Sequence, residues 1–453
     1  MKWRRKVLAS MTLLVLTVSG LAALQAPAAA APLDLANFQF RPASNAAELR
    51  ERVSLLDQTL VRVGVGDIMN DLNRKDTEKP IGFGEACEPA ALQSTNKPLI
   101  TRSLCFNDGD NVTPTWYPQG VTTVADAQAD QVWGTSSRPV IVTWYDHNDD
   151  DGVDSDGDGY DTDEQIRGVR VTFMNPDTGA YRHVLLVYPF INDSGNVSYM
   201  SVRTTQSGEY KSLHAGGIVW YGNYLYVADT ARGFRVFDMR HIYDLGASEN
   251  GTTDKEGLIG RQDGIYYGHG YRYVMPEVNA WTRTADTGTK CTEQDGSPQF
   301  SYVGLDRSGV DHITAGEYCA GEEAVNGRVA AWPIAGAVDA NGEQRIAADY
   351  RWNADAAYRL PDSNIQGAVR FDGRWYLSRS RGESTAGTLY KTDLVTAPTG
   401  DLRIGVERPL SIGPEDLSHW PGGTETAPSL STLWTVAEHP GKRMVYGVYA
   451  PPG

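Results

Sequence analysis

The stretch His214-Ala-Gly-Gly-Ile-Val-Trp-Tyr-Gly-Asn-Tyr-Leu-Tyr-Val227 lies over Ile365-Gln-Gly-Ala-Val-Arg-Phe-Asp-Gly-Arg-Trp-Tyr-Leu377, with one residue of difference before the turn glycine. Both copies read as a single unit: a glycine, a short apolar run, a glycine-bearing turn and an aromatic run. Runs this short, bounded by Gly, Asn and Asp, are strands joined by hairpin turns. Weaker copies begin at Gln119-Gly-Val-Thr-Thr123 and at Glu415-Asp-Leu-Ser418. The second of these is followed by Leu433-Trp-Thr-Val-Ala-Glu438 and Arg443-Met-Val-Tyr-Gly-Val448. Further strand-like runs are Arg138–Tyr145, Val169–Met174, His183–Tyr188, Tyr224–Ala228 and Phe234–Phe237, with turns at Pro176-Asp-Thr-Gly179 and Phe371-Asp-Gly373.

A Gly-led strand pair that recurs over residues 115–453 resembles a β-propeller. The resemblance rests on blade shape. It implies an all-β fold of five or six blades, in which the glycine-led strand of each blade lines a central channel. A β-sandwich is the competing architecture, and it gives no reason for the recurring unit. Two insertions disturb the spacing, an acidic loop after Trp144 and a cysteine-bearing stretch from Asn279 to Asn326. Within residues 31–114, Leu49, Val53, Leu56, Leu60 and Val63 recur at helical spacing and predict a helix over 44–63. Asn45 and Glu48 form its expected capping box, and Gly64 and Gly66 end it.

The chain has 453 residues, and 41 Lys+Arg against 57 Asp+Glu give a net charge of −16. That balance opposes a surface built to neutralise nucleic-acid phosphates or anionic lipid. The 47 Gly, 23 Pro, 23 Tyr and 11 Trp beside only 8 Met favour strands and tight turns over an all-helical fold.

Lys2, Arg4, Arg5 and Lys6 precede an apolar stretch from Val7 to Leu24 and then the small-residue run Ala26–Pro32. Residues 1–30 therefore read as a secretory signal peptide with cleavage after Ala30. Its removal takes away four positive charges and leaves −20 on a secreted, extracellular product. No later stretch is apolar enough to span a bilayer. In that oxidising compartment Cys87, Cys105, Cys291 and Cys319 are expected to form two disulfides. Three pairings exist; the local ones are favoured, because each brackets a polar, turn-rich segment.

The densest local signal is Asp146 to Glu164, with ten acidic residues and no Lys or Arg. Within it, Asp154-Ser-Asp156-Gly-Asp158-Gly159-Tyr160 resembles the calcium loop of EF-hands and thrombospondin type 3 repeats. The resemblance implies that Asp154, Asp156 and Asp158 wrap a calcium ion, that Gly159 makes the sharp turn and that Tyr160 gives its carbonyl oxygen. At the closing place stands Gln165 rather than a carboxylate, which leaves Glu164 or Asp163 as the last ligand. A calcium ion here is expected to order the 146–165 insertion as a structural element rather than to take part at the channel.

The repeat alignment places Gln119, His214, Gln366, Glu415 and Asp416 at blade starts, where the propeller resemblance puts a ligand site. His269 in Tyr267-Gly-His-Gly-Tyr271 is a further contributor. His214, Glu415 and Asp416 are the candidates for acid, base or metal-ligand roles if the protein is an enzyme. No nucleophile elbow, zinc helix, Walker loop or dinucleotide fingerprint occurs. Trp220, Trp375, Trp420 and Trp434 are candidates either for stacking on sugars or for packing between blades. The expectation is a secreted, calcium-stabilised propeller that binds an extracellular small molecule or glycan through Gln119, His214, Gln366 and Glu415. The alternative is a hydrolase or lyase acting on a carbohydrate or lactone at the same mouth. Oligomeric state is not readable from the sequence.

Overall fold

Four strands that each return on the last make one blade, and the chain repeats this meander five times. The computed structural model describes residues 32–451 apart from 80, 83, 148–165, 207–208, 285–290, 292–297, 322–326 and 423–430. The expected signal peptide and the expected calcium ligands Asp154, Asp156, Asp158, Tyr160 and Glu164 lie outside the described residues.

Blade 1 is Trp116–Thr123, Val140–Asp146, Val169–Met174 and Tyr181–Ile191. Blade 2 is Ile218–Tyr221, Tyr224–Asp229, Gly233–Asp238 and Tyr273–Arg283. Blade 3 is Phe300–Asp306, His312–Glu317, Arg328–Pro333 and Ala356–Arg359. Blade 4 is Ile365–Phe371, Arg374–Arg379, Ala386–Thr392 and Ile404–Ile412. Blade 5 is Ser418–Trp420, Thr432–Ala437 and Met444–Tyr449, and its outermost strand is Ile100–Cys105. A strand from the N-terminal segment thus completes the last blade and closes the ring, with Leu104 opposite Val445. The architecture is a five-bladed β-propeller.

The glycine that leads each unit has a steric cause. A Cβ on Gly217 would sit 2.2 Å from the backbone nitrogen of Val303, and one on Gly367 would sit 2.8 Å from the backbone of Asp416. Inner strands of neighbouring blades meet backbone to backbone, so only hydrogen fits. At the hairpin tips the demand is conformational: Asp372 and Gly373 have φ of 52° and 68°, the two left-handed residues of a tight hairpin turn.

Two sequence expectations need correction. The stretch Asn279–Asn326 is not simply an insertion, because it carries the inner and second strands of blade 3. Its glycine, Gly304, lies one residue from the usual place in the unit and is flanked by Tyr302, Val303 and Leu305, which hides the repeat. The helix is also shorter than its apolar spacing suggests. It spans Ala46–Asp57 and buries Ala46, Leu49, Val53 and Leu56. Val61–Val63 instead forms a strand paired with Ile242–Asp244. The Asn45 side chain makes no capping bond; it donates to Tyr188 Oη at 2.8 Å.

Other expectations hold. The disulfides are the local pairs, Cys87–Cys105 and Cys291–Cys319, with Cα atoms 5.9 and 5.8 Å apart. Trp220, Trp375, Trp420 and Trp434 are all buried and pack the blades. Among the described residues no helix is long and apolar enough to cross a membrane.

Candidate functional site

Because every blade is a meander, the inner strands all begin at one mouth of the channel, and each second strand returns there. The residues of interest are therefore the starts of inner strands and the ends of second strands. Gln366 is the second residue of its inner strand, Glu415 and Asp416 lie just ahead of theirs, and Gln119 sits at the bulge within Trp116–Thr123. His214 lies three residues ahead of Gly217, outside the strand, and is exposed at the rim.

Asp416 is fully buried. Its Oδ2 accepts from the backbone N–H of Ile218 at 3.1 Å and of Val121 at 3.3 Å, so one carboxyl ties blade 5 to blades 2 and 1. Burial pushes this carboxyl well above the ordinary range, and the backbone N–H groups of Ile218, Leu417 and Val121 offset only part of that. The neighbouring Glu415 turns the other way, as adjacent residues on an extended strand do. Gln366 of blade 4 donates to Glu415 Oε1 at 3.2 Å. Burial, reinforced by the Glu438 carboxylate beside it and by Asp416, drives the Glu415 carboxyl far above its usual value.

Glu438 is the residue that sequence reasoning missed. It follows the second strand of blade 5 and accepts from Gln119 Nε2 of blade 1 at 2.8 Å. A signal was present, since the corresponding places in blades 1, 2 and 3 are Asp146, Asp229 and Glu317. In blade 2 the acid is paired with an arginine of the third strand, Arg235 Nε to Asp229 Oδ2 at 2.8 Å. In blade 3 Arg328 Nε does the same to Glu317 Oε2 at 3.0 Å. Blade 5 carries the matching arginine, Arg443, but its guanidinium is committed to backbone carbonyls: Glu438 at 2.7 Å, Asp110 at 2.9 Å and Thr113 at 2.8 Å. The Glu438 side chain is thereby released to face Gln119 and Glu415. Burial holds Arg443 down to about 10.

Three oxygens in this cluster have no donor: Gln119 Oε1, Glu415 Oε2 and Asp416 Oδ1. All three belong to residues no more than 1% exposed. No other protein group among the described residues donates to these oxygens, which leaves them to solvent or to a ligand.

Around the cluster runs a chain of rings. Tyr117 stacks on His147 at 4.4 Å, Tyr145 lies 6.1 Å from Tyr117, and His214 lies 4.7 Å from Tyr145. Arg443 sits 4.8 Å over Tyr117 and bonds the Glu438 carbonyl, which links rings and carboxylates. His147 and His214 are exposed, and the two tyrosines are half-buried.

The acidic insertion springs from this same mouth. Asp146 Oδ2 accepts from Arg167 N at 2.8 Å, and Asp146 N donates to the Gly168 carbonyl at 3.1 Å, which pins the two feet of the segment together. Its feet are the end of the second strand and the lead-in to the third strand of blade 1. His269 is held by the Glu256 carbonyl at 3.0 Å and by Ser201 at 3.3 Å. Among the described residues no three His, Cys, Asp or Glu side chains form a group able to hold a metal ion.

No protein-family model matches the chain, and no curated protein matches it. Among solved structures it is similar to RS223 β-xylosidase, at 10% identity over 74% of this chain and 93% of that one, with a TM-score of 0.29. An oxidoreductase (glucose dehydrogenase) from Thermus thermophilus matches at 11% identity over 75% of this chain and 98% of that one, with a TM-score of 0.28. The computationally designed Ika8 protein matches at 8% identity over 75% and 98%, with a TM-score of 0.23. Likeness at this level adds nothing to the architecture established by the strand pairing.

Proposed function

We propose that the protein is an exported, calcium-stabilised propeller that binds a hydroxyl-rich extracellular ligand, a glycan or polyol, at the channel mouth. The observation that carries this reading is the set of three unpaired acceptor oxygens on Gln119, Glu415 and Asp416 beside an exposed rim of rings. Sugar hydroxyls supply donors, and the apolar faces of pyranose rings stack on aromatic side chains. Calcium enters through the loop of Asp154, Asp156 and Asp158, whose feet Asp146 and Arg167 stand beside the rim.

The hydrolase alternative is less well supported by the geometry. A glycosidase needs two carboxyl groups about 5–9.5 Å apart, with the scissile bond between them. Glu415 and Glu438 are instead in hydrogen-bonding contact, and Asp416 is engaged by backbone N–H groups. The test is a glycan array together with a thermal-shift screen of sugars and polyols, on wild type and on Gln119→Leu. A ligand that raises the melting temperature of wild type and not of the variant is expected. Silence in both screens would remove the reading.

A further inference from the structure

The mouth is unbalanced in charge as well as in hydrogen bonding. Blade 5 brings Glu415, Asp416 and Glu438 to it, and the buried cation beside them is Arg443. Arg443 lies beside Glu438 and gives Nε and Nη1 to three carbonyl oxygens. Among the described residues no Lys or Arg forms an ion pair with Glu415 or Asp416. Elsewhere in the fold buried acids are paired: Asp229 and Glu277 with Arg235, Glu317 with Arg328, and Asp110 with Arg170. Other buried acids take neutral donors: Asp126 has the hydroxyls of Thr122 and Ser418, each 2.7 Å away, and Asp146 accepts the backbone N–H of Arg167 at 2.8 Å. Glu415 is different, since it has an amide on one oxygen, a second acid against it and one oxygen with no donor at all.

A neutral sugar hydroxyl satisfies the hydrogen bond but leaves two acids in contact. An ammonium group satisfies both, because it brings donors and one positive charge to Glu415, which no Lys or Arg pairs with among the described residues, and to the unpaired Gln119 Oε1. Building on the hydroxyl-rich ligand proposed above, we infer that the ligand is a cationic sugar, a glycan bearing a free primary amine, with its ammonium on Glu415 and Gln119 and its ring against the Tyr117–Tyr145 rim. Binding on this reading is by charge-assisted hydrogen bonds alone.

The experiment is calorimetric titration of the mature protein with three probes of equal length: a glucosamine disaccharide, its N-acetylated form and a neutral glucose disaccharide. It is run at raised salt, where attraction by the overall negative charge is screened. The amine probe is expected to bind about tenfold or more tightly than the other two, as charge-assisted hydrogen bonds are roughly twice as strong as neutral ones. Glu415→Gln, an isostere of the protonated acid, is expected to fold, as a thermal melt would report, and to erase that preference while keeping the neutral probes. Glu438→Gln serves as the second variant and is expected to reduce the preference. Equal binding of all three probes, or a preference that vanishes with salt or survives in both variants, overturns the ammonium inference and leaves the hydroxyl reading standing. Binding by none of the three overturns both.

Discussion

Gln119 of blade 1 donates its side-chain amide to the carboxylate of Glu438 in blade 5, 2.8 Å away, across the seam where the ring closes. The two residues are 319 positions apart in sequence, and their contact exists only when the propeller is complete. Gln119→Leu keeps the volume and removes the donor, leaving a partly buried carboxylate without it. The expected loss is about 1.5–3 kcal/mol, the range for a hydrogen bond to a charged group. Urea unfolding measures it. A midpoint equal to wild type would show that the seam is held by the closing strand alone.

The backbone contact between Gly217 and Val303 makes a sharper prediction. Gly217→Ala would put a methyl group 2.2 Å from the Val303 nitrogen, with main chain rather than a movable side chain in the way. Overpacking of this kind costs about 3 kcal/mol or more. Gly257, where an added Cβ would meet nothing within 4 Å, is the matched control. Its alanine variant is expected to melt with wild type, and similar melting of both variants would refute the close-approach account of the repeat.

These glycines are why the architecture was legible in the sequence at all. A residue fixed by backbone contact recurs wherever the contact recurs, so blades 1, 2 and 4 left a readable unit, and blade 5, without the glycine, a weaker one read from its later strands. Blade 3 has the same contact at Gly304, but its surroundings broke the pattern, and cysteines nearby made the stretch read as an insertion. Within the site, Gln119 and Gln366 were found because each directly precedes an inner-strand glycine, Gly120 and Gly367, and Glu415 and Asp416 because strands of the same unit follow them. Glu438 was missed because its role depends on where Arg443 points. Blades 2 and 3 carry the same acid–arginine pair in sequence, and there the arginine neutralises the acid. Only the fold shows that in blade 5 it turns to carbonyl oxygens instead.

The Cys87–Cys105 bridge ends the closing strand of blade 5, so its removal is felt at the ring closure. The double variant Cys87→Ser/Cys105→Ser is expected to lose about 3 kcal/mol, as a loop of this size implies. The residues Ile100–Cys105 should then show faster amide hydrogen exchange than the second strand of the same blade. Uniform protection across blade 5 would contradict this.

Calcium is expected to raise the melting temperature of the mature protein, and EDTA to lower it. A site at one hundred times its dissociation constant contributes about 2.7 kcal/mol. Asp156→Ala should abolish the calcium response and leave the melt in EDTA unchanged, since the loop's feet are held by Asp146 and Arg167 without the ion. A calcium response of full size in the variant would remove the loop as the site.

Asp126 contributes to the pH dependence of stability. It is buried against Thr122 and Ser418, each hydroxyl 2.7 Å from its Oδ2, and burial pushes its carboxyl up to about 6 from 3.8. A carboxyl raised on folding binds more protons in the native state than in the unfolded one, so stability falls as pH rises. The fall begins near the unfolded value and is complete above about 6, and it amounts to up to about 3 kcal/mol at about 1.4 kcal/mol per unit. Glu415 and Asp416 contribute with the same sign, so the wild-type slope alone does not isolate Asp126. Asp126→Asn removes that titration together with its repulsion of Asp416, so its difference from wild type reports Asp126 and this coupling. The stability of Asp126→Asn relative to wild type is therefore expected to increase between about pH 4 and pH 6 and to stay level above that. Denaturant unfolding across that range measures it. Two parallel profiles would mean that the Asp126 carboxyl titrates alike in the folded and unfolded chain, and that its hydroxyl partners offset its burial completely.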